Sequence, residues 1–231
     1  MVGALAAVLY VRGRAFRLRR GPALVGQPLP VRASGMTVLS LVPPALAPSH
    51  LPSRTRLLAN FVVSQLAWFA AVLGAAHQRP VVGTLCVVVA IGWHLSVSVR
   101  PAREARLVLV ACLLGFAVET AMVRLGHVAY PSGQLGAQFA PYWMVALWGL
   151  LAIALNVTMR WLRPHLWLAA ALGAVVGPAA FASGVRLGGA EFVHEVPALL
   201  TLALVWGVLL PLLMRLSVYF DGVSPDRVTH G

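Results

Sequence analysis

Glu119 stands inside an apolar run, Arg106–Leu125, that holds no other charge between Arg106 and Arg124. Where such a run crosses a bilayer, a charged side chain costs roughly 2.5–3.5 kcal/mol to insert, so a carboxyl there is a candidate for function. The chemistry open to it is proton transfer, general acid catalysis or cation binding. The structural alternative is a carboxyl that is neutral, or paired with Arg124 or Arg186. His94, Asn156 and Asn60 each lie a few residues from the same end of their own apolar runs. Gln65 lies about two turns deeper than Asn60. The four predict a polar pocket opening toward one leaflet, or else interhelical hydrogen bonds worth about 0.6 kcal/mol a pair. Glu119 and His94 are therefore the catalytic candidates. Gln65, Asn60, Asn156, Arg186, Gly177 and Pro178 are the substrate-binding candidates.

Two further motifs are weaker. Gly173-x-x-x-Gly177 followed by Pro178 lets helices approach closely. Pro178 frees the carbonyl of Ala174, which suits either a cavity lining or a packing kink. Glu191, His194 and Glu195, at i, i+3 and i+4, are expected on one helical face before Pro197. Glu-x-x-His is a ligand spacing in di-iron bundles, but those need a second copy and this chain has one. No metal and no cofactor is predicted. The chain also lacks a nucleophile motif, a P-loop and a dinucleotide glycine fingerprint. Cys86 and Cys112 fall in apolar runs and read as buried thiols.

The elements that must position these groups are six apolar stretches of about 20 residues, the length a spanning helix needs. They are Leu57–Ala76, Pro80–Val99, Arg106–Leu125, Tyr142–Met159, His165–Val185 and Val196–Val218. The composition agrees: 60% of the 231 residues are hydrophobic and only 10% charged, where a soluble domain carries about 25% charged. The fold class expected is all-α, a polytopic membrane bundle of six transmembrane helices. The short His77–Arg79 turn makes the first two antiparallel neighbours.

Arginine placement orients the bundle. The chain has no Lys, and its net charge of +12 comes from 18 arginines. With the N-terminus inside, Arg54, Arg56, Arg100, Arg103, Arg106, Arg160, Arg163, Arg215 and Arg227 are cytoplasmic, together with Arg12, Arg14, Arg17, Arg19, Arg20 and Arg32. Only Arg79, Arg124 and Arg186 fall outside. This split predicts both ends in the cytoplasm. The expected partners are the bilayer, anionic lipid head groups and other membrane proteins, with no nucleic acid. Residues 1–56 read as an Arg- and Pro-rich cytoplasmic arm, with Met36 an alternative start, residues 57–220 as the bundle, and residues 221–231 as a cytoplasmic tail.

Three segments give the chain a family resemblance. They are Asn60-Phe61 with Gln65-x-x-Trp68-Phe69 and Val72-Leu73-Gly74-Ala75-Ala76; Pro141-Tyr142-Trp143 with Leu147-Trp148 and Leu155-Asn156; and Gly177-Pro178 leading to Gly184-x-Arg186-Leu187-Gly188. Over about Leu57–Val218 the chain resembles the bacterial membrane family DUF2878. The resemblance implies a compact multi-pass inner-membrane protein without an assigned activity. It also implies, through an association with cyclopropane-fatty-acid-synthase-like and oxidoreductase genes, a link to lipid modification. The chain departs from the family pattern at Glu119, where an Asp is expected, at Val157, where a His is expected, and at Ala180-Phe181, in place of Ser-Tyr. Three functions follow as expectations. The first is an enzyme or accessory subunit in membrane lipid (fatty-acyl) modification. The alternatives are a small proton-coupled transporter and a structural membrane scaffold.

Overall fold

The computed structural model describes residues 52–224. Most of the expected N-terminal arm, the alternative start at Met36, and Arg227 lie outside the described residues. Among the described residues six α-helices follow one another: α1 (Arg54–Ala76), α2 (Pro80–Ser96), α3 (Pro101–Arg124), α4 (Tyr142–Leu155), α5 (Leu166–Arg186) and α6 (Glu195–Tyr219). The all-α class is thus the observed one. Among the described residues α1, α3, α5 and α6 are long and apolar enough to cross a membrane, while α2 and α4 are apolar but shorter.

Local chemistry sets the helix ends. Ser53 accepts a hydrogen bond from the Arg56 amide at 3.1 Å and starts α1. The cap satisfies one of the first-turn amides that have no partner within a helix. Helix α1 thus takes in the Arg54–Arg56 stretch that the sequence reading left in the arm. Prolines open α2 and α3 at positions where a missing amide hydrogen costs nothing. Helix α4 stops at Leu155, four residues short of the expected Met159. Asn156 turns its side chain to other helices, and the chain passes through a turn into a short 3-10 helix, Arg160–Leu162.

Helices α1 and α2 pack so closely that a methyl group on Gly83 would fall 2.4 Å from the carbonyl oxygen of Ala70. Other tight pairs are α3 with α4 and α5 with α6. One end of the bundle, the arginine end, carries Arg100 and Arg103 at the start of α3 and Arg160 and Arg163 between α4 and α5. The opposite end is closed by a two-stranded antiparallel ribbon. Its strands are β1 (Val128–Ala129), after α3, and β2 (Glu191–Phe192), after α5, with Val128 opposite Phe192. This corrects one expectation. Glu191 lies in a strand, His194 is the cap of α6 and Glu195 its first residue, so the three share no helical face. The ribbon claims the backbone that a longer helix would have used.

An apolar core is present, but several polar residues lie inside it and many large apolar residues lie outside. Asn60, His94, Glu104, Glu119 and Asn156 are buried. Leu66, Val89, Val175, Leu204 and Val208 stand on the surface, each more than 60% exposed. Soluble monomers rarely leave so extensive an apolar surface uncovered. Lipid covers it at no such cost, whereas the buried polar groups need partners within the bundle.

Candidate functional site

The buried stripe of α3 runs Glu104, Leu107, Ala111, Gly115, Glu119 and Met122. Spacings of three and four keep these residues on one face, so both carboxyls of α3 point inward. They are fifteen residues apart, about 22 Å along the axis. Each organises its own polar cluster.

Glu104, 1% exposed, anchors the cluster at the arginine end. Its Oε2 lies 3.0 Å from His94 Nε2 on α2. Its Oε1 accepts from Asn156 Nδ2 at 2.6 Å and from the backbone amide of Gly222 at 2.6 Å. Arg163 donates to the side-chain oxygen of Asn156, to the carbonyl of Ser217 at 3.1 Å and to Asp221 Oδ2 at 3.0 Å. Arg160 reaches the same Asp221 oxygen at 2.9 Å. Burial alone would raise the Asp221 carboxyl, but Arg163 and Arg160 hold it below its ordinary value. The segment after α6 is therefore bonded into the bundle. The Arg100 amide donates to the Gly222 carbonyl at 2.9 Å. A methyl group on Gly222 would fall 2.3 Å from the Arg100 carbonyl oxygen, so the approach requires glycine.

Glu119, 2% exposed, sits near the ribbon end. The Tyr130 hydroxyl donates to its Oε2 at 2.7 Å and Trp148 Nε1 donates to its Oε1 at 3.1 Å. Tyr130 directly follows β1, so the ribbon delivers its hydroxyl. Trp148 fits because Gly115 lacks a side chain, since a methyl group there would lie 2.2 Å from the indole. Trp148 in turn stacks on Trp206 of α6 with ring centres 4.8 Å apart. Gly173 and Gly177 both lie against Trp206, which is the close approach their spacing predicts.

An elongated cavity of about 160 Å³ runs past Glu119. One wall is α1, through Phe61, Ser64, Gln65, Trp68 and Val72. Another is α5, through Gly177, Ala180, Phe181 and Gly184. Between them lies α4, lining the groove from Trp143 at the ribbon end to Met159 beyond its other end. Glu119 and the aromatic rings of Trp68, Trp143, Trp148, Phe181 and Trp206 gather toward the ribbon end. The wall toward the arginine end is mostly aliphatic. Ser64 Oγ there is buried and has no hydrogen-bond partner among the described residues.

The sequence candidates therefore divide. His94 and Asn156 converge, but on Glu104. Asn60 donates to the Ile153 carbonyl at 3.1 Å and does not join them. Gln65 and Gly177 line the cavity with Glu119. Pro178 is buried in an unbroken α5 and does not line it. Arg186 is exposed and makes no ion pair with Glu119. Arg124 instead lies 5.2 Å over the Phe139 ring.

Sequence reasoning missed Glu104, Tyr130, Arg163 and Asp221 as site residues. A signal existed for Glu104: its spacing to Glu119 along the small-residue stripe of α3.

Fold and site together define a class: a helical membrane bundle with two buried carboxyl clusters and an apolar groove. The chain belongs to the family described as protein of unknown function (DUF2878), whose model matches residues 57–212. No curated protein and no solved structure matches it.

Proposed function

We propose that this protein crosses the bacterial inner membrane six times, with both termini in the cytoplasm, and acts in membrane lipid modification. It does so as an enzyme or as the accessory subunit of one, on a fatty-acyl substrate. The groove carries this reading. It follows α4 from Trp143 to Ala154, eleven residues and about 16 Å, and continues to Thr158 and Met159 in the turn beyond it. Its volume of about 160 Å³ is close to the roughly 150 Å³ of an apolar cavity that holds benzene. Long, narrow and apolar, it suits a hydrocarbon chain. Helices α1 and α5 face each other across it without close backbone packing, so a chain enters sideways from the bilayer.

The polar end of the substrate then meets Glu119, the one acidic or basic side chain in the lining. Tyr130 and Trp148 fix the orientation of its carboxyl. The His94–Glu104–Asn156 cluster lies outside the groove lining and ties the arginine end of the bundle together. Six spans are supported by the succession of six apolar helices, each followed by a connection that returns the chain. Helix α4 has only 14 residues, but the turn through Arg160–Leu162 extends its reach. Arg100, Arg103, Arg160 and Arg163 at one end support the cytoplasmic assignment of that end.

The test is to replace Glu119 with Gln in the source organism and to profile its membrane lipids beside a strain lacking the protein. The expected result is the same altered acyl composition in both. Unaltered lipids in both strains would refute the reading.

A further inference from the structure

Resting on that groove, we propose that the polar group it receives is an organic cation, an alkylated ammonium of the kind carried by choline head groups. Three observations converge. First, both oxygens of the Glu119 carboxyl accept hydrogen bonds, from Tyr130 at 2.7 Å and Trp148 at 3.1 Å, and no cation pairs with it among the described residues. This donor arrangement suits a negative charge, and a buried negative charge needs a counter-charge.

Second, no Arg or His lines the cavity, in a chain of 18 arginines. Arg124 and Arg186, which could have neutralised Glu119, are turned elsewhere. The local field therefore favours a positive ligand. Third, four of the seven tryptophans, Trp68, Trp143, Trp148 and Trp206, line the same cavity, with Phe181 beside them. Aromatic walls around a carboxylate are the recognition chemistry of quaternary ammonium groups. Aromatic rings attract a soft cation that has no N–H to donate, and the carboxylate supplies its counter-charge. The groove beyond Trp148 then takes the hydrocarbon attached to it.

The experiment uses the full-length protein in nanodiscs of anionic lipid, free of choline head groups. The probes are choline and 3,3-dimethyl-1-butanol, its uncharged isostere with carbon in place of nitrogen. Quenching of tryptophan fluorescence reports binding. Choline is expected to bind at least tenfold more tightly than the isostere. Glu119→Gln is expected to abolish that preference, Glu119→Asp to retain part of it, and Glu191→Gln on the exposed ribbon to leave it unchanged. Equal binding of the two probes to the unsubstituted protein, or binding of neither, overturns the proposal even if Glu119→Gln fails to fold. If lipids change in the Glu119→Gln strain while choline shows no preference, the lipid reading survives and the cationic ligand falls.

Discussion

Replacing Glu104 with Ala removes the acceptor for three buried donors at once. Oε1 holds Asn156 Nδ2 and the Gly222 amide, each at 2.6 Å, and Oε2 holds His94 Nε2 at 3.0 Å. A buried group left without its partner costs about 1–3 kcal/mol. Removing one member of a buried ionic network costs about 3–5 kcal/mol. Water entering beside Gly222 relieves part of the sum, so the loss is set at about 3–5 kcal/mol. For a domain of this size each kcal/mol lowers the unfolding midpoint by about 2–4 °C. The midpoint in detergent should therefore fall on the order of 10 °C, read by tryptophan fluorescence or scanning calorimetry. Glu104→Gln keeps one oxygen for Asn156 and Gly222 and should lose less than half as much. A shift within the ±0.5 kcal/mol typical of surface substitutions, about 2 °C or less, would refute the assignment of Glu104 as the hub.

Three other outcomes follow from the geometry. Gly115→Leu should push Trp148 off Glu119, since even a methyl group would lie 2.2 Å from the indole; a loss of about 1–3 kcal/mol and a shifted tryptophan emission are expected. Asp221 is held below its ordinary value by Arg163 and Arg160. Its contribution to stability is therefore complete above the unfolded carboxyl value of about 3.9 and is lost as the pH falls through the lower folded value. Asp221→Asn should remove that acid-limb dependence in a pH series of unfolding midpoints. Cys86, expected to be buried but exposed on α2, should react with a lipid-soluble maleimide well before Cys112, which is half-buried against Gly149; mass spectrometry of partly labelled protein reads the order.

The helices were legible because apolar runs of spanning length leave little choice of backbone, and their ends came within a few residues. The end of α4 was not, since Asn156 and the turn after it are as apolar in their neighbours as the helix itself. The ribbon was invisible for another reason: two-residue strands are too short to show an alternating period. Glu119 was legible by its isolation in an apolar run. Glu104 was not, because its arginine neighbours at a helix start made it look like an ordinary charged cap. Its true environment depends on Gly222, 118 residues away in sequence. Tyr130 and Asp221 were hidden in the same way, each made part of a site only by a chain return that no local pattern encodes.

The groove between α1 and α5 is tested most directly by asking where a lipid chain sits. A photoreactive fatty acid can be incorporated into the membrane, crosslinked to the protein and mapped by mass spectrometry. Labels are expected on groove residues such as Trp68, Leu151 and Phe181, and they should diminish when Gly177→Leu narrows the wall beside Trp206. Labelling confined to the outward surface, at residues such as Val89, Val175 and Leu204, would show that acyl chains only surround the bundle, and would contradict a lipid site within it.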